Sequence, residues 1–226
     1  MNKVVVILFS SAILFGCDRN ISSQNDLMQD ATNFGCNSVE AKLSVATRDE
    51  SDVIFYDFQK KCEADLNENI EKSCPWIKIL MLEGMPYAAF DWGYFQKRFG
   101  KYLSPAYNSW LIHLAETEKI IDDALLLITP DELRQHIIFL EHLSEMNHNF
   151  VAIKDVKSRL SWYLDLYLNG SDNSPVFDKH GIRSEFRTSY EKFLSENKNS
   201  KYYSRVRILY DKVAATLKAN PEKSKF

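Results

Sequence analysis

The sequence predicts an all-α fold, with a bundle or short array of antiparallel helical hairpins behind a flexible tether. From about Ser38 onward, apolar residues recur at helical spacing in one segment after another. The 226 residues include only 7 glycines and 6 prolines, which is little turn material for a sheet protein. The gaps between the predicted helices are short, and short gaps favour antiparallel neighbours.

The N-terminal residues 1–16 have the pattern of an export signal. Lys3 precedes an apolar run over residues 4–15. A helix of that length rises only about 18 Å, whereas the hydrocarbon core of a bilayer is roughly 30 Å thick, so the run is too short to span it comfortably. The run ends in the tetrapeptide Leu14-Phe15-Gly16-Cys17, which resembles the lipobox of bacterial prolipoproteins.

The lipobox resemblance implies a lipid anchor on Cys17. In that family, diacylglycerol is attached to the cysteine thiol, the signal is cut before the cysteine, and the new amino group usually receives an acyl chain such as palmitate. Two or three chains hold a protein firmly on a membrane, whereas one chain holds it weakly. The family also implies the periplasmic face of a bacterial membrane. Asp18 favours the inner membrane, as in enteric members of the family, with the outer membrane as the alternative.

The rest of the chain divides into a tether, one domain and a tail. Residues 17–34 are rich in Asn, Ser, Gln and Asp, which predicts a lipidated flexible tether that keeps the domain clear of the lipid head groups. Residues 35–220 are predicted to form the all-helical domain, and residues 221–226 a tail. The polar stretch over 171–178 is predicted to be the longest loop, so a subdomain break is placed near 170–178.

Helix start and stop signals give the order of elements within the domain. The clearest start is at Thr129, which caps a helix with Pro130 in its first turn and Glu132 completing a capping box. Asn169-Gly170 is a typical C-terminal stop. The predicted helices begin, in chain order, near Ser38, at Ser51 or Asp52, at Ser73-Cys74-Pro75, at Gly84-Met85-Pro86, at Ser104-Pro105, at Thr129, near Phe150, near Arg183 and near Lys201.

One predicted helix pair near the C-terminus resembles a known repeat. Residues 190–194 (Tyr-Glu-Lys-Phe-Leu), 197–200 (Asn-Lys-Asn-Ser) and Tyr202-Tyr203 are followed by Leu217 and Asn220-Pro221. This pattern is similar to the helix-turn-helix junction of tetratricopeptide repeats in envelope-assembly lipoproteins. No second copy of about 34 residues fits the rest of the chain, so the resemblance is local. The alternative is an ordinary amphipathic hairpin.

The sequence contains four cysteines, which limit the possible lipid attachment and disulfide pairings. With Cys17 assigned to lipid, Cys36, Cys62 and Cys74 remain. An exported protein meets an oxidising compartment, so one disulfide and one leftover cysteine are expected. Cys62 lies late in one predicted helix and Cys74 opens the next, which makes Cys62–Cys74 the best single pairing. Closing this loop would stabilise the folded protein by roughly 3 kcal/mol in the chain-entropy model. Pairing of Cys36 with either of them stays open.

The most informative stretch of the domain is an aromatic run over residues 90–110. Trp92 is two residues from both Phe90 and Tyr94, so these three rings cannot share a narrow helix face. Exposed Trp and Tyr dominate binding hot spots, and the run is therefore predicted to form part of a partner-binding surface. The alternative is a helix buried on all sides. The candidate partner-binding residues are Trp92, Tyr94, Phe95, Tyr102, Tyr107 and Trp110.

The sequence predicts no catalytic residue, no cofactor and no metal site. It has no Gly-rich phosphate loop, no Gly-x-Ser-x-Gly elbow and no zinc-type cysteine spacing. Glu145 and His148 have the Glu-x-x-His spacing of di-iron bundles, but without a second copy they are expected to form a solvated helix end. The net charge is −3, with no block of like charge, which argues against nucleic acid as a partner.

These observations favour a non-enzymatic protein-interaction module anchored to a membrane in the periplasm. Its expected partner is an unidentified protein of the envelope or a toxin. One alternative is an immunity lipoprotein that neutralises an envelope-acting toxin. Another is a cell-envelope enzyme, which a deep pocket lined by two or more ionisable groups would support.

Overall fold

The computed structural model describes residues 36–68 and 76–219. The export signal, Cys17, the tether, Cys74 and the tail lie outside these residues, so what the sequence predicts for them stays a prediction. No helix in the described ranges combines the length and the hydropathy that a membrane crossing requires.

Most of the described residues are in helices, and four two-stranded antiparallel hairpins lie between the helices. The helices are residues 36–43 (α1), Arg48–Glu68 (α2), Trp92–Phe99 (α3), Pro105–Glu116 (α4), Pro130–Met146 (α5), Ile153–Asn169 (α6), Ser184–Glu196 (α7) and Tyr203–Ala219 (α8). The hairpins pair Ile77–Leu82 with Met85–Phe90 (β1, β2), Ile121–Asp122 with Leu125–Leu126 (β3, β4), Gly170–Ser171 with Ser174–Pro175 (β5, β6), and Phe177–Asp178 with Gly181–Ile182 (β7, β8).

The all-α prediction is wrong, because the described residues combine helices with small sheets. The main error lies in residues 77–90, where the sequence predicts helical segments and the structure has the hairpin β1–β2. Glu83 and Gly84 have φ angles of 51° and 77°. Two successive residues with positive φ form the type I′ turn that joins adjacent strands. The next helix starts only at Trp92, where the Asp91 side chain accepts a hydrogen bond from the Tyr94 N–H at 2.9 Å.

Helix boundaries that depend on local capping agree better with the sequence. Thr129 and Glu132 form the predicted capping box at the start of α5, with Pro130 in the first turn. The second helix, however, begins at Arg48 rather than after a cap at Ser51 or Asp52. Its cap is Thr47, whose N–H donates to the Glu50 carboxylate at 2.9 Å. The helix therefore starts one turn earlier than predicted.

The segment predicted to be the longest loop contains tight hairpins instead. Gly170, which ends α6, has φ of 75° and ψ of −156°, a region open essentially only to glycine. A Cβ atom at this position would lie 2.5 Å from the backbone oxygen of Ser174. Ser171 Oγ donates to the Ala124 carbonyl at 2.6 Å, which ties this hairpin to the turn between β3 and β4. Backbone pairing therefore orders residues 171–178.

Aromatic rings fill the core between α2, α3 and α4. Phe55 is fully buried, and its ring centroid lies 5.2 to 5.6 Å from those of Phe95, Phe99 and Tyr107. Ring pairs at this spacing add about 0.5–1.5 kcal/mol each beyond the area they bury. The helices α5, α6, α7 and α8 form the other part of the domain, in which α5 packs against both α6 and α7, and α7 packs against α8.

The pair α7–α8 occupies the residues that resemble a tetratricopeptide repeat. Glu141 of α5 holds the connection between these helices, since its carboxylate accepts from Ser200 Oγ at 2.6 Å and from the Lys201 N–H at 2.7 Å. Any amphipathic hairpin packs as such a pair, so the similarity to the repeat stays a prediction.

Candidate functional site

The structure divides the aromatic run between a strand and two helices. Phe90 ends β2, whereas Trp92 and Tyr94 belong to α3, so these three rings do not surround one helix as the sequence analysis assumes. Phe95 and Tyr107 are fully buried and Trp110 is 2% exposed, which places these three candidates in the core rather than on a binding surface. The other candidates, Trp92, Tyr94 and Tyr102, are half-buried.

Arg98 and Tyr102 hold α1 against α3 through Glu40, and the Tyr94 hydroxyl helps to orient Arg98. Arg98 donates from Nη1 to the Tyr94 hydroxyl at 2.5 Å and from Nε to Glu40 at 3.1 Å. The Tyr102 hydroxyl donates to the same Glu40 carboxylate at 3.2 Å. Both tyrosines therefore have an internal structural role, and Trp92 is the candidate that best fits a site.

Trp92 and Trp110 line one surface cleft of about 380 Å³, within the size range of small-ligand pockets. Trp162, which is 40% exposed, lines the same cleft from α6. Side chains from four helices meet here. They are Gln59, Lys60 and Glu63 of α2, Trp92 of α3, Trp110 and Leu114 of α4, and Asp155, Ser158, Arg159 and Trp162 of α6. We call this the tryptophan cleft.

Two carboxylates hold Lys60 in the tryptophan cleft. Its Nζ lies 2.9 Å from Glu63 Oε2 and 3.1 Å from Asp155 Oδ2. Burial by itself would lower the pKa of Lys60, but the hydrogen bond to Glu63 and the ionic contact with Asp155 outweigh burial and raise that pKa above its usual value. Gln59 extends the network into the core, because it donates to Glu63 Oε1 and accepts from the Tyr107 hydroxyl, each at 2.9 Å. A lysine kept protonated in this way is a poor general base.

Arg159 lies over the aromatic wall of the same cleft. Its Cζ atom is 5.9 Å from the ring centroids of both Trp110 and Tyr163, within cation–π range. Its Nη1 lies 3.4 Å from the Tyr163 hydroxyl. In the described ranges, no carboxylate oxygen comes within the 4.0 Å that defines an ion pair with this guanidinium. Arg159 is thus held by ring faces rather than by a neighbouring carboxylate.

A buried histidine lies behind the tryptophan cleft. His113 is 3% exposed, and its ring stacks on Trp110 at 5.7 Å and on Phe139 at 5.0 Å. Burial, with smaller contributions from His136 and Arg159, lowers the pKa of His113 to about 3. Among the described residues, neither His113 Nε2 nor Trp110 Nε1 has a hydrogen-bond partner. His113 is therefore a neutral core residue, and ionising it would place a charge among aromatic rings.

The hairpin β1–β2 carries a second surface feature. Four of its side chains are well exposed: Ile79 (59%), Met81 (52%), Leu82 (38%) and Met85 (70%). Successive strand residues face opposite sides, so Ile79 and Met81 lie on one face, while Leu82 and its cross-strand partner Met85 lie on the other. We call these four side chains the apolar tip. The tip shows apolar side chains on both faces of the hairpin.

The strand edges of this hairpin are less available than its side chains. With a two-residue turn, the closing pair Leu82–Met85 exchanges hydrogen bonds, and bonded and non-bonded pairs then alternate along the ladder. Pro86 is in the next, non-bonded pair, so the outer edge of β2 has no N–H at that position. On β1, the Met81 carbonyl accepts from Lys119 Nζ at 2.6 Å. The hairpin therefore offers a partner side chains rather than a free strand edge.

The cysteine prediction cannot be compared in full with the structure, because Cys74 lies outside the described residues. Cys36 and Cys62 are both buried. One disulfide, with Cys62–Cys74 as the first choice and Cys36 pairing as the alternative, stays a prediction that non-reducing peptide mapping decides.

Comparison with known proteins gives no relative from which to infer a role. No protein-family model, no curated protein and no solved structure matches this chain. In the part of the chain that the structure describes, no three His, Cys, Asp or Glu side chains are grouped to hold a metal ion. The two surface features are therefore interpreted from their own geometry.

Sequence reasoning missed most residues of both features. The apolar tip had one local signal, a Glu-Gly pair at 83–84 between two apolar runs, which is compatible with a two-residue hairpin turn. The tryptophan cleft had no such signal, since Lys60 of α2 is far in the chain from Arg159 and Trp162 of α6. Only Trp92 and Trp110 were among the predicted candidates.

Proposed function

We propose that this chain is a non-enzymatic protein-interaction module, held on the periplasmic face of a bacterial membrane by lipid on Cys17. The observation that carries the interaction role is the apolar tip, because clustered exposed apolar side chains mark interaction sites. Two of its four members, Met81 and Met85, are flexible and polarizable, as suits an adaptable binding surface. The lipobox resemblance supports the anchor.

Charges around the tip favour a protein partner over lipid. The exposed Glu83 forms the turn between β1 and β2, and its N–H donates to the Asp122 carboxylate at 3.2 Å. Asp123, which follows Asp122 in the chain, is also exposed. Moving these carboxylates into hydrocarbon would be expensive. A protein groove with an apolar floor and hydrogen-bond donors at its rim would accept both the tip and its carboxylates.

A photoreactive amino acid at Met85 should crosslink the chain to a specific protein in intact cells. We expect Met81→Asp to reduce that crosslink about tenfold or more, because a buried charge at an interface hot spot weakens binding by around 2 kcal/mol. The melting temperature should stay nearly unchanged, since the Met81 side chain is half exposed in the free protein. Crosslinking from Val45, which is 87% exposed and lies outside the tip, is the matched control.

Two outcomes would contradict the interaction role. Equal crosslinking from Met85 and Val45 would show that the tip has no specific partner. Crosslinks from Met85 to lipid alone would show that the tip inserts into the membrane instead.

Cys17→Ser should move the protein from the membrane fraction to the soluble fraction. The expected reason is loss of the thiol that would carry diacylglycerol, since two or three acyl chains are needed for firm anchoring. Fractionation with immunoblotting checks this result, and intact-mass spectrometry of the unmodified protein should show the acyl groups. Retention of the variant on the membrane, or a native mass without acyl chains, would refute the anchor.

Two alternatives stay open as proposals. The partner is a toxin if the chain is an immunity lipoprotein, in which case deleting the gene should sensitise cells to that toxin.

A cell-envelope enzyme is the second candidate, because Lys60, Glu63, Asp155 and Arg159 all line the tryptophan cleft. The raised pKa of Lys60 argues against acid–base chemistry there. Under the interaction proposal, Glu63→Gln leaves function intact, whereas an enzyme using this carboxylate would lose activity.

A further inference from the structure

The hydrogen-bonding groups of the tryptophan cleft are unevenly used. The acceptors on α2 are engaged: Gln59 Oε1 accepts from Tyr107, and the Glu63 carboxylate accepts from both Gln59 and Lys60. Asp155 Oδ2 lies 3.1 Å from the ammonium of Lys60 but has no hydrogen-bond partner among the described residues. The acceptors of Gln59 and Glu63 are therefore occupied, and within the described ranges Asp155 Oδ2 is the cleft acceptor that is left without a hydrogen bond.

Donors, by contrast, are in surplus at Arg159. A guanidinium has five N–H donors, and within the described ranges Arg159 uses one of them, in a 3.4 Å contact with the Tyr163 hydroxyl. Its planar fork matches a carboxylate, which accepts two parallel hydrogen bonds. The exposed Ser158 hydroxyl lines the cleft beside it. The polar part of a ligand that fits here is an acceptor with negative charge.

The walls beside Arg159 are flat and apolar. Trp162 is 40% exposed, and Trp92 is half-buried on the opposite helix α3. A cleft of about 380 Å³ accommodates one aromatic or large apolar group rather than an extended chain. Aromatic rings prefer offset-stacked or edge-to-face contacts with such walls.

We propose that the tryptophan cleft binds a carboxylate carried on an aromatic group, with the carboxylate on Arg159 and Ser158 and the ring against Trp162. This chemistry has two sources, the C-terminal aromatic residue of a peptide and a free aromatic acid. The proposal goes beyond the interaction role of the apolar tip and does not depend on it.

Calorimetric titration of the full chain in detergent tests this site with a charged and a neutral probe. The probes are N-acetylphenylalanine and its amide, which differ only in the carboxylate. We expect the acid to bind at least tenfold more tightly than the amide. Arg159→Gln should bring the two affinities within about twofold, and Trp162→Ala should weaken both probes together. Arg207→Gln, an exposed arginine paired with Asp211 on α8, is the matched control and should change neither.

A second comparison identifies the source of the carboxylate. A pentapeptide that ends in phenylalanine with a free carboxyl group should bind more tightly than N-acetylphenylalanine if the ligand is a peptide terminus, and more weakly if it is a free acid. Either order supports the shared chemistry. Met81→Asp at the apolar tip should leave both affinities unchanged, which separates this proposal from the interaction role.

Three results would overturn the inference. They are equal binding of acid and amide by the unmodified chain, a preference for the acid that persists in Arg159→Gln, and no heat from either probe at millimolar concentration. Circular dichroism establishes that each variant folds. If Arg159→Gln unfolds, Arg159→Lys replaces it, because lysine keeps the charge without the planar fork and should reduce the preference for the acid several-fold.

Discussion

Phe95→Ala should destabilise the protein by about 3–5 kcal/mol, the range found when a buried Phe is truncated to Ala. Phe95 is fully buried on α3 and its ring centroid lies 5.6 Å from Phe55 and 6.0 Å from Phe99. Removing the ring leaves a cavity among aromatic neighbours that cannot all move inward. Thermal unfolding followed by circular dichroism should show a fall in melting temperature of roughly 10 °C for a domain of this size.

Trp92→Ala provides the comparison on the same helix. Because Trp92 is half-buried, its truncation should destabilise the protein clearly less than that of Phe95, by about 1–2 kcal/mol. Phe95→Leu, which fills more of the space, should also be milder than Phe95→Ala. If Phe95→Ala melts like the unmodified protein, Phe95 is not a core residue and the packing of α3 described above is incorrect.

Acidification from pH 7.5 to pH 5 should cost about 2 kcal/mol of unfolding free energy through His113 alone. The pKa of His113 is lowered to about 3 in the folded protein, mainly by burial, whereas an unfolded histidine titrates near 6.5. The unfolded chain therefore binds the proton first, so the contribution of neutral His113 is present above about pH 6.5 and is lost as the pH falls toward 3. The half-buried His136, whose pKa is also lowered mainly by burial, acts in the same direction.

His113→Phe should flatten this pH dependence. Phenylalanine keeps a ring that can stack on Trp110 and Phe139 and removes the buried nitrogen that lacks a partner. Urea unfolding at pH 7.5 and pH 5 measures the difference in unfolding free energy. Both pH values lie above the range in which carboxylates dominate acid unfolding. His142→Gln, at an exposed position on α5, is the control. An equal loss of stability in the unmodified protein and in His113→Phe would show that His113 is not responsible.

Local capping explains which elements could be predicted from the sequence. The starts of α4 and α5 depend on a side chain that accepts a hydrogen bond three residues ahead, at Ser104 and Thr129, and on a proline in the first turn. The stop at Gly170 depends on a backbone conformation that glycine adopts readily. Such signals lie within a few residues, so they can be read without knowing the rest of the fold.

The hairpins could not be predicted from the same kind of signal. Residues 77–82 are apolar except for Lys78 and show no strict alternation, and short segments of this type fit a buried helix as well as a strand. The turn between β3 and β4 uses Asp123 and Ala124 at φ of 45° and 53°, where no glycine or asparagine marks a left-handed conformation. Its partner hairpin β5–β6 supports it, since Asn173 N–H donates to the Ala124 carbonyl at 3.1 Å. Contacts distant in sequence therefore support the turn between β3 and β4.

By itself, the sequence determined the helical start at Thr129, the stop at Gly170 and the concentration of aromatic rings over residues 90–110, because each depends on residues close together in the chain. Only the tertiary structure decided which of those rings are buried. Phe95 packs against Phe55 of α2 in the core, whereas Trp92 lines the tryptophan cleft together with residues of α2, α4 and α6. The cleft itself joins Lys60, Trp110 and Arg159 from three helices, and such a meeting is set by helix packing, which no local pattern encodes.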